Sequence, residues 1–63
     1  MFAHCPISSM NEGEDLQDAL AVHGIIAHVI EDAGELFIVT DDVDHDDAVI
    51  ATGVFSEHRG GQP

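Results

Sequence analysis

The chain contains no lysine, no tryptophan and no tyrosine, and a single arginine, Arg59, stands against thirteen carboxylates in 63 residues. So few cations exclude direct nucleic-acid binding, because Lys and Arg make the phosphate contacts. They also leave few donors to stabilise an anionic transition state. Cysteine is nearly absent too: Cys5 alone can build neither an internal disulfide nor a closed thiolate metal site. It reads as a partly buried apolar thiol. No apolar run approaches the roughly twenty residues of a membrane span. The opening Met1-Phe2-Ala3-His4-Cys5-Pro6 lacks the basic region and long apolar stretch of a signal peptide. Together these absences predict a soluble, cytoplasmic chain.

What is present is acid, to a formal charge of -12. A compact domain so far from neutrality repels itself, while its field attracts basic partners and speeds their capture. Hydrophobic residues nevertheless make up 44% of the chain and are grouped at residues 25–30, 36–39 and 48–51. That grouping argues for a folded core rather than a disordered acidic tail. One domain is all this length permits, with a small core. Residues 1–59 read as that domain, and residues 60–63 as a flexible C-terminal tail.

Residues 2–7 alternate weakly and read as a short strand, with Pro6 placing it at a sheet edge or strand end. Ser9-Met10-Asn11-Glu12 matches the capping box that opens a helix. Leu16, Ala19, Leu20 and His23 follow at helical spacing on one face, with Glu14, Asp15 and Asp18 roughly opposite. Gly24 suits the left-handed position that closes a helix. Residues 25–31 are apolar and β-branched, Asp32-Ala33-Gly34-Glu35 has turn chemistry, and residues 36–40 complete a hairpin. The last segment is divided. Val49, Ile50, Thr52 and Val54 favour a strand. Asp44 three residues before Asp47 is an N-cap arrangement, and His58 and Arg59 fall in a last turn before Gly60. Capping at both ends is the more specific signal, so a helix is expected.

The fold class that follows is α+β, a small two-layer domain of order β-α-β-β-α. Its three-stranded sheet, antiparallel or mixed, carries both helices on one face and resembles a truncated ferredoxin-like arrangement. A split crossover places the third strand between the first two. The other sheet face is then partly open, with Phe2, His28 or Phe37 placed to line a contact between two copies.

Motifs for chemistry are few. Asp42, Asp44 and Asp46 reproduce the opening of a calcium loop, but Asp47 replaces the turn glycine and Gly53 the bidentate glutamate. His4, His23, His28, His45 and His58 contain no pair at the helical spacing of a zinc motif, and surface or half-buried structural roles are expected for all five. Ser9 is accounted for by capping, and nothing suggests a pocket that would split carboxylate pKa values. Arg59-Gly60-Gly61 resembles the ending of ubiquitin-like modifiers, but Gln62 and Pro63 follow and two opening strands are lacking. No enzyme, metal or cofactor is expected.

The acids form two groups: Glu12, Glu14, Asp15 and Asp18, then Asp41, Asp42, Asp44, Asp46 and Asp47. Closely spaced carboxylates can imitate the charge density of DNA, one charge per about 1.7 Å of axis. In size, charge and these two runs the chain resembles the small phage-encoded DNA mimics, including acidic anti-CRISPR proteins. The resemblance implies stoichiometric inhibition, by binding the basic nucleic-acid-binding surface of a partner such as a CRISPR effector subunit in the host cytoplasm. Glu14, Asp15, Asp18, Asp41, Asp42, Asp44 and Asp46 are the expected partner-binding residues, pairing with Lys and Arg as phosphates do. Two other readings stay open. One is adaptation to a salty cytoplasm by a small regulatory or ligand-sensing ferredoxin-like domain. The other is an acidic adaptor for a basic protein unconnected with nucleic acid.

Overall fold

The computed structural model describes residues 1–60, and they form five elements: β1 (His4–Ile7), α1 (Met10–Ala21), β2 (Ala27–Asp32), β3 (Glu35–Thr40) and α2 (His45–Gly60). The three strands make one antiparallel sheet in the order β1-β3-β2. The third strand therefore lies between the first two, as the split crossover requires. Residues 61–63 of the expected C-terminal tail lie outside the described residues, and Gly60 closes α2.

Both helices begin on local signals. Ser9, extended at φ -156 and ψ 163, caps α1, its Oγ accepting the Glu12 N–H at 3.2 Å. The reciprocal half of the capping box is displaced by one residue. Glu12 Oε1 accepts the backbone N–H of Ser8 at 2.6 Å and the Ser8 hydroxyl at 2.8 Å. At the other end Gly24, at φ +76, donates to Ala21 O while Ile25 N–H donates to Leu20 O, the paired bonds of a Schellman closure. Asp44 settles the divided segment as helix: its Oδ1 accepts the Asp47 N–H at 2.9 Å, and its carbonyl accepts the Ala48 N–H. Thr52 fits the helix by donating its hydroxyl to Ala48 O four residues back.

The hairpin turns through two residues, with Asp32 paired to Glu35. Ala33 (φ 53) and Gly34 (φ 81) both take the left-handed conformation of a type I′ turn. Ala33 does so with a Cβ, which costs about 1 kcal/mol.

One core lies between the sheet and the helices. Leu16 and Leu20 of α1, Ile38 of the central strand and Ile25 are almost wholly buried, and Ala51 and Phe55 bring α2 into the same cluster. His23, placed on this face by spacing, is exposed instead, because α1 ends before it. Helix α1 lies very close to the sheet at Gly13, where a Cβ would stand 2.5 Å from Val29 Cγ2 and 2.9 Å from Ile7 Cδ1. Only glycine permits that approach. Thr40, the buried polar residue of the core, accepts the Ala3 N–H on its Oγ1 at 2.9 Å.

Candidate acidic interface

All seven carboxylates expected to meet a partner are exposed. Their local duties differ. Glu14, Asp15 and Asp18 project from the free side of α1 and form no ion pair among the described residues. Positions three and four apart on a helix are neighbours, so Asp15–Asp18 and Glu14–Asp18 are like-charge pairs that oppose the helix by a few tenths of a kcal/mol each. Three charges over about 6 Å of helix axis approach the linear density of duplex DNA.

The second group is more occupied. Asp41 Oδ1 stands 2.9 Å from His28 Nε2, both side chains half or more exposed. Asp42 pairs with the N-terminal ammonium of Met1, which also donates to Val43 O at 2.8 Å. Asp44 caps α2, and Asp46 and Asp47 sit in its first turn, near the positive end of the helix dipole. Folding roles therefore exist for Asp41 and Asp42, which sequence spacing did not suggest. Asp46 remains free among the described residues.

Topology keeps the groups apart. Helix α1 starts beyond the end of β1 where Ile7 pairs with Leu36, beside the hairpin turn. Residues 41–47 lie at the other end, where Thr40 pairs with Ala27. The α1 stripe and residues 41–47 are therefore two acidic runs that start from opposite ends of the sheet rather than one patch. The calcium-like spacing does not converge, because Asp44 is spent on the cap and Asp42 turns to Met1. Among the described residues no three His, Cys, Asp or Glu side chains gather as ligands for one ion.

One acid belongs elsewhere. Glu12, counted by sequence with the α1 stripe, is half-buried, and its Oε2 meets His58 Nε2 of α2 at 2.8 Å. The Ser8 N–H first, then His58 and the Ser8 hydroxyl, hold its carboxyl down to about 2. An open groove of about 460 Å³ lies beside this junction, lined by Pro6, Ile7, Ser8, Glu12, His58 and Arg59. The Ser8 hydroxyl donates to the carboxylate and not to the imidazole, so the trio ties two helices together and does not activate the serine. Cys5 lies buried nearby. Burial pushes its thiol up, Arg59 opposes that shift and Glu12 adds to it. A thiol so placed is a poor nucleophile.

No family model, curated protein or solved structure matches the chain. Among the described residues no helix is long and apolar enough to cross a membrane.

Proposed function

We propose that this chain is a non-catalytic acidic binding protein that occupies the basic nucleic-acid-binding surface of a partner by DNA mimicry, in the cytoplasm and without a cofactor. The observation that carries the reading is the set Glu14, Asp15, Asp18 and Asp46, exposed carboxylates without an ion pair of their own among the described residues. Their mutual repulsion works against the fold, whereas Lys and Arg in a groove shaped for phosphates would satisfy them. The uneven spread of charge supports the same reading. Val49, Ile50, Thr52 and Gly53 are exposed on α2 and carry none, although adaptation to salt alone would spread acid over such a stretch.

The resemblance in size and charge makes a CRISPR effector complex the first partner to try. The experiment is DNA binding by purified effector complexes titrated with this protein. Loss of DNA binding at a stoichiometric end point supports mimicry, and simultaneous binding of both sinks it. Reversing Glu14, Asp15 and Asp18 together to Lys tests the interface without touching a cap or an internal pair.

The salt-adapted alternative draws on Glu31, Asp32 and Glu35 of the hairpin and Glu57 of α2, which carry acid beyond the two groups. It expects a chain that stays unfolded until salt is molar. A cooperative thermal transition at about 0.01 M salt, where screening is slight, removes it.

A further inference from the structure

Among the described residues the sheet face turned away from the helices is uncovered, and its centre is poor in acid. Alternation along the strands puts two cross-strand rows at its centre: His4, Val39 and His28, then Pro6, Phe37 and Ile30. Neither row holds a carboxylate, in a chain with thirteen. Phe2 and Ile26, 65% and 62% exposed, extend the apolar surface at one end, and Ile30 is 45% exposed. The acids stand at the margins, Asp41 at one end and Asp32 and Glu35 at the other.

These margins and that centre decide between occupants. A basic partner finds no acid in the middle rows, where His4 and His28 are the only ionisable side chains. An identical face offers apolar side chains in matching rows and the same acid-free centre. Two such sheets stack about 10 Å apart, as in a sandwich. The contact is small. Three strands about 4.8 Å apart and three rows about 6.6 Å apart span roughly 300 Å² per copy, below the size of a permanent interface.

Charge then sets the condition. Each copy brings -12. At about 0.01 M salt the screening length of roughly 30 Å reaches across the whole molecule, whose longest extent is 29 Å. At about 1 M it falls to roughly 3 Å, and only the apolar contact is left to act. We propose that this sheet face is a homodimer contact, in which a second copy packs sheet on sheet, open at low ionic strength and closed at high. The inference is independent of the DNA-mimic reading, since the α1 stripe lies on the other layer, and its salt dependence has the opposite sign to that of an acid–base contact.

The experiment is sedimentation equilibrium of the full chain across a salt series, with three variants. The expected result is an association constant at least about tenfold higher at 1 M than at 0.01 M salt. Ile30→Lys is expected to abolish association at 1 M, although it lowers the net negative charge, because it removes apolar contact from an exposed edge position. Phe37→Thr is expected to do the same, with the fold of both variants checked by circular dichroism. Val49→Asp, on the exposed side of α2, is expected to associate as the parent does. A chain monomeric at every salt overturns the proposal. So does association that weakens with salt, that survives both Ile30→Lys and Phe37→Thr, or that is lost in Val49→Asp.

Discussion

The Glu12 carboxylate and the His58 imidazole meet at 2.8 Å across 46 positions of sequence, joining the first turn of α1 to the last turn of α2. Each group suits its helix end, an acid near the positive pole and an imidazole near the negative one. Their meeting fastens the start of one helix to the end of the other.

Acid therefore undoes this junction in a defined window. Folding holds Glu12 at about 2, down from an ordinary 4.5, so its contribution is complete above 4.5 and disappears as pH falls towards 2. The expected signature is the difference between the parent and Glu12→Gln: thermal midpoints well separated at pH 6 and converging by pH 2. Parallel curves would mean that Glu12 does not carry the effect.

Two helical glycines are expected to answer the same substitution with opposite signs. Gly53→Ala meets nothing within 4 Å and has ordinary helical geometry, so stability rises by about 0.5–1 kcal/mol. Gly13→Ala gains the same propensity but drives a methyl to 2.5 Å from the stiff Val29 side chain. Overpacking of that kind costs about 1–3 kcal/mol and wins. Urea midpoints of the two variants, on either side of the parent, are the check.

At the hairpin, Ala33 holds a left-handed conformation at φ 53. Ala33→Asn and Ala33→Gly each suit the first central position of the turn and are expected to stabilise by about 0.5–1 kcal/mol. Equal or lower thermal midpoints for both would show that Ala33 is not strained.

Asp44 separates a folding role from a binding role. Asp44→Asn keeps an acceptor for the Asp47 N–H and is expected to change stability little, whereas Asp44→Lys loses the cap and about 0.5–2 kcal/mol. Reversal of Glu14, Asp15 and Asp18 to Lys leaves the 14/18 and 15/18 pairs like-charged but cuts the net charge of -12 by half, so stability at low salt is expected to rise through weaker overall self-repulsion. If that triple variant also loses its partner, the stripe is kept for binding at the expense of the fold. Denaturant titration and the DNA-competition assay, run on the same preparations, read both quantities.

The sequence by itself determined the elements, because their signals are confined to a few neighbouring residues. Ser9 with Glu12, Gly24, the Asp32-Ala33-Gly34-Glu35 turn, and Asp44 with Asp47 each act through bonds between positions at most five apart. Split-crossover logic then led from β-α-β-β-α to the central third strand, and exposure of the seven acids followed from their side of α1 and from the loop and first turn that open α2. Only the tertiary structure decided which groups meet. It moved Glu12 from the acidic stripe to a junction with His58, gave Asp41 and Asp42 partners in His28 and Met1, and set Gly13 close against Val29 of the sheet. These pairings join residues 13 to 46 positions apart, and they depend on how strands stack and helices cross, geometry that no local spacing encodes.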